Sequence, residues 1–449
     1  MPPDQARALP HLLYIVWGFP PSRGGGVYRA LATANEAVKL GFRVTVLTAE
    51  HATFARYTGT DESLESLVDP AVNVVRIPFR WPARDIQVSG DGSVADQWRR
   101  VQRKLAAMGS RVLFPETHYG SWRGPLNRAA LAIHEADPVH LTIATANPNV
   151  TFAAAYDLFR RRGVPYVLDQ RDAWLLNIFS GETTQPRWSR QARWEQRMVA
   201  EATELWFVNS QIRDWHRRRY PQQAERMEVV RNGWDANLLG PVSSMPAEQR
   251  PPVFGYLGTI SAQVPIAELA QAWSEATSDL PANSQLIIAG HAGYFADSDS
   301  RVSTALATAA QQGVQVRGPV PKREVGEYYS ELDILVMAIG SGLYVTSGKV
   351  YEYVATAKPI VAICPPDNPA AEVLQGYPGV AQVQSTDPAA IREALISSWH
   401  LWQRSSDADI DARREVADNY RRERVLQPAL MRALTYAQER LAQTSSAAS

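Results

Sequence analysis

The sequence predicts an α/β protein made of two doubly wound domains, and three observations carry that expectation. The chain has 449 residues, about three times the usual single-domain length, so more than one core is expected. Short apolar runs alternate with stretches of helical periodicity, the pattern of a mainly parallel sheet covered on both faces. That alternation occurs twice, on either side of a segment rich in Pro and Ser.

Leu12 to Trp17 is an apolar run closed by Gly18-Phe19-Pro20-Pro21, which reads as a buried strand entering a loop. Val27, Leu31, Ala34 and Val38 then recur at helical spacing, and Gly41 stands where a helix stop is expected. Further strands are expected at Val44 to Leu47, Val74 to Phe79, Leu141 to Ala146, Tyr166 to Asp169, Leu205 to Val208 and Val229 to Val230. These elements place a first domain at residues 1–235 and a linker at 236–252. The second series runs through Val253 to Leu257, Leu286 to Ala289, Val314 to Val316, Ile334 to Met337, Ile360 to Ile363 and Val380 to Val383, in a domain at 253–408. From Asp409 the chain is expected to be helical to its end, with Val416, Tyr420, Val425, Leu426, Leu430, Leu434 and Ala437 on one broad face. Two such domains leave a cleft at their strand ends, suited to a bisubstrate enzyme or a hinged binding protein.

Composition narrows the function. The 46 Lys+Arg cancel the 46 Asp+Glu, a net charge of +0 that leaves no global excess for a nucleic-acid partner. The single cysteine, Cys364, excludes an internal disulfide or a multi-thiolate metal site and fits a reducing compartment. The eight histidines include no close pair, while Asp297-Ser298-Asp299 and Asp407-Ala408-Asp409 read as solvated loop or cap residues, so no metal ligand is assigned. No apolar run reaches the roughly 18 to 20 residues of a membrane span. Met1 to Pro10 lacks the apolar stretch of a signal peptide, and a cytoplasmic location is expected. The basic stretch from Trp98 to Phe114 fits a peripheral membrane contact or a solvated helix face, and the second is favoured.

Four motifs carry chemistry. Gly24-Gly25-Gly26, after Arg23 and directly before a helix, would present backbone N–H groups to an anion or a sugar hydroxyl; a flexible turn gives the same residues. The loop does not fit G-x-G-x-x-G, since Arg29 falls at the third glycine. Leu168-Asp169-Gln170-Arg171-Asp172 ends an apolar strand in charges, with Asp172 read as a carboxylate that binds or activates a hydroxyl. The alternative is an Arg171–Asp169 ion pair sealing the domain. Ser347-Gly348-Lys349-Val350-Tyr351-Glu352 would open a helix, with Lys349 opposing the helix dipole in its first turn and Glu352 one turn on. A lysine there makes sense beside an anionic ligand, and Glu352 reads as an acceptor for ribose hydroxyls or as a plain helix-face carboxylate. Gly258-Thr259, after Gly255-Tyr256-Leu257, and Gly290, after Leu286 to Ala289, add strand-end glycine turns.

Taken in order, these blocks resemble the retaining glycosyltransferases of the two-domain GT-B fold, family 4. The resemblance rests on the glycine loop, "YVLDQRDAW" (166–174), "VNS" (208–210), "VVRNGWD" (229–235), "YLGTIS" (256–261), "VQVRGPVPKREVGEYYSELDILVM" (314–337) and "SGKVYEYVATAKPIVA" (347–362). It implies two Rossmann-like domains facing a cleft, with the C-terminal helix of 409–449 crossing back to the first. It implies a nucleoside-diphosphate sugar as co-substrate with no further cofactor, and a hydroxyl or other nucleophilic acceptor. Glu352 would take the ribose hydroxyls, Lys349 with the amides near Gly258 and Gly348 the diphosphate, and the glycine loop would lie near the transferred sugar.

Two departures stand out. A glutamate of the family pattern falls on Tyr344, and an Arg–Lys pair is missing from Thr259 to Pro265, leaving Lys349, helped by Arg23, as the cation for the diphosphate. A sugar-nucleotide epimerase of related fold, or a sugar-nucleotide-binding protein without chemistry, are the competing readings.

Overall fold

The structure is a computed structural model, and it describes residues 9–88, 93–244, 250–292, 300–339 and 342–448. Met1 to Leu9, the linker's 245–249 and the Asp297-Ser298-Asp299 candidate lie wholly or partly outside the described residues. The chain divides into two compact units. The first runs to Asn177, resumes over Glu182–Arg231 and takes in the chain from Leu426; the second holds Ile178–Gly181 and Asn232–Val425.

The first unit is a seven-stranded sheet: β1 (His11–Ile15), β2 (Arg43–Ala49), β3 (Val72–Ile77), β4 (Leu141–Thr145), β5 (Tyr166–Gln170), β6 (Glu204–Phe207) and β7 (Met227–Val229). Its order is β3-β2-β1-β4-β5-β6-β7. The second is six-stranded: β8 (Val253–Leu257), β9 (Gln285–Ala289), β10 (Gln315–Arg317), β11 (Ile334–Ala338), β12 (Ile360–Ile363) and β13 (Val380–Val383). Its order is β10-β9-β8-β11-β12-β13. Every described pairing within these sheets is parallel. Each sheet is doubly wound, reversing its strand order beside β1 and beside β8, where ligands bind in such sheets. Both faces of a parallel sheet are covered, so β1, β4, β5, β6 and β11 are buried along their whole length.

The unit boundary falls at Arg231, ahead of the expected 235, because Trp234 belongs to the second core. Its N–H donates to the Tyr420 carbonyl (3.0 Å) and its indole Nε1 to the Ala417 carbonyl (2.8 Å). A side chain on Gly233 would strike the Tyr420 carbonyl. Part of the expected linker is also built into the second unit: Ala236–Leu239 is a short helix, and the Ser244 hydroxyl donates to the Thr356 carbonyl at 2.8 Å.

The C-terminal region is two helices rather than one. The first, Asp407–Asp418, opens on a capping box at Ser406 and Asp409, which fixes Asp409 as a cap residue. It packs in the second unit, where the Arg413 guanidinium donates to the Pro378 carbonyl at 2.6 Å. After a break at 419–421, the helix Arg422–Ala448 carries Leu426, Ala429, Leu430, Ala433 and Ala437 into the first unit's core. Spacings of three and four residues put these on one face. Arg432 adds an ion pair to Glu204 at 2.6 Å. Thus Val416 and Tyr420 of the expected single face serve the second core, and Leu426, Leu430, Leu434 and Ala437 the first.

Leu430 is fully buried, so Leu430→Ala is expected to destabilise the first unit by about 2–5 kcal/mol. Urea unfolding checks this, and a change within error would show that the terminal helix does not brace that core.

Candidate functional site

In the second unit the turns that follow β8 and β9 lie side by side. The Gly258 N–H donates to the Ala289 carbonyl (3.1 Å) and the Ile260 N–H to the His291 carbonyl (2.8 Å). Gly290 has φ 147°, and a side chain there would overlap the Gly258 carbonyl; only glycine allows this approach. The Tyr256 hydroxyl closes the turn by donating to the Thr259 carbonyl at 3.0 Å. Beside it lies a cavity of about 260 Å³ lined by Tyr256, Gly258, Thr259, Ser347, Lys349 and Tyr353, among others. Four sequence-predicted site residues, Gly258, Thr259, Ser347 and Lys349, therefore share one cavity.

Gly348 precedes the seven-residue helix Lys349–Ala355, and the Lys349 N–H already donates to the Ser347 hydroxyl at 3.4 Å. The Lys349 ammonium donates to Glu352 Oε2 at 2.8 Å. Glu352 also accepts from the Tyr329 hydroxyl on Oε2 (2.8 Å) and from the Lys322 ammonium on Oε1 (2.7 Å). Burial would push this carboxyl up, but the Lys349 and Lys322 charges and hydrogen bonds override it and hold it at about 2. Two ammonium groups around one carboxylate leave net positive charge at the cavity wall, where Lys349 stands. Glu352 reaches that wall through Lys349.

Sequence reasoning missed Lys322 and Tyr329. The signal for Lys322 was its rarity, one of five lysines in the chain. The signal for Tyr329 was its place in the same block.

In the first unit the helix Val27–Lys39 starts at Gly26 with no side-chain cap, and the Val27 N–H donates to the Gly24 carbonyl at 2.9 Å. Gly24 donates its N–H to the Ser22 hydroxyl (3.4 Å), and a side chain on Gly25 would meet nothing within 4 Å. Gly26 differs: a side chain there would land on the Arg171 guanidinium. Arg23 is exposed and runs along Gly59, to whose carbonyl its N–H donates at 3.1 Å.

The structure corrects the pairing of Asp169. Its partner is Arg29, which donates Nε to Oδ2 and Nη2 to Oδ1, both at 2.8 Å, while Thr145 adds a hydroxyl bond at 3.2 Å. Both side chains of the pair are 2% exposed. Arg171 instead donates to the Ala146 carbonyl and covers Gly26. The strand ends at Gln170, so the alternation expected to carry Arg171 beside Asp169 has already stopped. Asp172 is exposed beyond it, and no hydrogen bond is seen to it among the described residues. Tyr344, at the departing glutamate position, is buried with its ring over Gly181.

Residues 24–233 match the family model described as a glycosyl transferase 4-like domain. No curated protein matches the sequence. Among solved structures, a glycosyltransferase from Rickettsia africae is similar at TM-score 0.63 and 12% identity, over 96% of this chain and 99% of that one. HepE of Anabaena, in complex with UDP and glucose, matches at TM-score 0.57 and 12% identity, over 97% and 99%. Sucrose-phosphate synthase of Thermosynechococcus elongatus matches at TM-score 0.57 and 15% identity, over 98% and 100%. The fold is thus that of the GT-B glycosyltransferases, with two Rossmann-like domains.

Removing Arg29 leaves a buried carboxylate without its cation, and Arg29→Ala is expected to cost about 3–5 kcal/mol in urea unfolding. A cost below 1 kcal/mol, on the order of an exposed pair, would contradict the pairing. Glu352 is held below its ordinary 4.5, so the folded state binds its proton less readily than the unfolded chain. Its contribution is complete above pH 4.5 and is lost as pH falls toward about 2. Across that window wild type should lose more stability than Glu352→Gln; parallel profiles would show that the carboxylate is not held by its two lysines.

Proposed function

We propose that the protein is a glycosyltransferase that moves a hexosyl group from a nucleoside-diphosphate sugar to an acceptor with retention of anomeric configuration. The observation that carries this reading is the second-unit cavity, where Lys349 joins the Gly258 turn and leads to Glu352. The match of residues 24–233 to a glycosyl transferase 4-like domain supports it, as does the UDP-and-glucose complex of the structurally similar HepE.

In this reading the second unit holds the donor. Lys349 and the N–H groups around Gly258, Thr259, Ser347 and Gly348 face the diphosphate, while Glu352, kept ionised by Lys322, accepts from ribose hydroxyls. The first unit holds the acceptor. Asp172 binds the acceptor hydroxyl, and Gly24, Gly25, Gly26 and Arg23 meet sugar or diphosphate oxygens. The acceptor oxygen bonds to the anomeric carbon as the bond from that carbon to the diphosphate oxygen breaks. The acceptor proton passes to the leaving phosphate on the same face. Negative charge grows on the diphosphate during this step, so a fixed cation there lowers the barrier. The reading gives this task to Lys349 and backbone N–H groups and gives a metal no role.

Thermal-shift screening with UDP-, GDP- and dTDP-sugars is expected to show stabilisation by one donor class. Glu352→Ala should mainly weaken donor binding. Lys349→Ala should mainly lower turnover, by about 10²–10³-fold, the cost of losing one transition-state charge contact. Asp172→Asn should lose transfer with donor binding intact. Wild-type kinetics in both the Glu352 and Lys349 variants would refute the site, and donor conversion without acceptor would identify an epimerase.

A further inference from the structure

The helix Val94–Leu113 of the first unit is mounted with its apolar side outward. Val94, Trp98, Val101, Leu105, Met108 and Val112 repeat every three or four residues and so form one stripe along the helix. Their exposures run from 43% at Val101 to 82% at Val94. The side turned to the protein is polar or small: Asp96 and Ser110 are its buried residues. An amphipathic helix normally buries its apolar stripe in the core, and this one does the reverse.

The mounting is specific. Ser93 caps the start by accepting the Asp96 N–H at 3.1 Å. At the other end Arg190 donates to the Arg111 and Val112 carbonyls at 3.2 and 3.1 Å, and Ser121 donates its N–H to the Ser110 hydroxyl at 3.3 Å. Gly120 has no side chain to hold off the Ser110 carbonyl, so the last turn seats closely. Both ends are pinned through polar atoms, which keeps the stripe facing out.

Charge identifies the occupant. The helix carries Arg99, Arg100, Arg103, Lys104 and Arg111 against one acid, Asp96, which is bound to Arg100 at 3.1 Å. Arg100, Lys104 and Arg111, four and seven residues apart, form a basic row along one flank of the stripe. Trp188, 79% exposed, stands two residues from the Arg190 that holds the helix end. An apolar stripe with a tryptophan, flanked by cations, matches a bilayer surface with anionic headgroups above acyl chains. A second copy of this basic helix would instead bring like charges together. The net charge of +0 does not argue against this, because the excess is local.

We propose that the Val94–Leu113 helix seats the first unit in the interface of an anionic lipid bilayer, with its apolar stripe among the acyl chains and its basic row at the headgroups. The proposal does not depend on the proposed reaction. Cosedimentation of the full chain with vesicles tests it. Wild type should bind vesicles of phosphatidylcholine with phosphatidylglycerol, bind pure phosphatidylcholine far less, and release in high salt. Trp98→Ser/Leu105→Ser and Lys104→Glu/Arg111→Glu should each weaken binding roughly tenfold or more, since each basic residue at such a surface contributes about a factor of five. These side chains are exposed, so the thermal midpoints should match wild type; a lowered midpoint in one pair leaves the other to decide. Wild type that ignores anionic vesicles, or variants that bind as wild type does, would overturn the proposal. So would light scattering that finds a dimer dissolved by the Trp98/Leu105 variant without vesicle binding.

Discussion

In both units every strand runs parallel to its neighbours, and helices cover both faces of each sheet. Side chains in mid-strand therefore meet packed apolar surface, and polar chemistry is pressed out to the carboxyl ends. Asp169 sits one residue before the end of β5, Gly258 directly after β8 and Gly290 directly after β9. The glycine loop lies beyond the end of β1, after the segment 16–23. The site residues are gathered by topology, although they come from segments far apart in sequence.

At those ends the protein handles carboxylates in two ways. Asp169 is taken out of water and matched to one guanidinium through two parallel bonds, an arrangement that fixes the first helix against β5. Glu352 is given two cations and a phenol, and one of those cations lines a cavity. The first is a closed pair and the second an open one. Sequence alone paired Asp169 with Arg171 and read Glu352 as an acceptor for hydroxyls.

Much of the fold was legible because strand and helix periods differ. Each predicted strand appears within a few residues of its place, and the Gly258, Thr259, Ser347 and Lys349 grouping was read from turn and helix-start chemistry. What stayed hidden depends on long-range pairing. Arg29 and Asp169 are 140 residues apart, and local alternation pointed to Arg171 instead. The break at 419–421 was invisible because Val416 and Leu426 both fit a helical stripe while packing into different cores. The Val94–Leu113 stripe shows a deeper limit. Periodicity reveals that a helix has an apolar face but not which way that face is turned, and here the direction is set by Ser93, Gly120 and Arg190, outside the helix.

The glycine loop ends as three unlike positions. None of the three has a positive φ, so backbone conformation does not demand glycine at any of them. Gly24 and Gly25 have room for a side chain, whereas a side chain on Gly26 would have to displace the guanidinium of Arg171, from a strand end far along the sequence. Positions 26 and 171 are thereby coupled. In chains related to this one, a larger residue at the first should be accompanied by a smaller one at the second, while positions 24 and 25 drift independently of both.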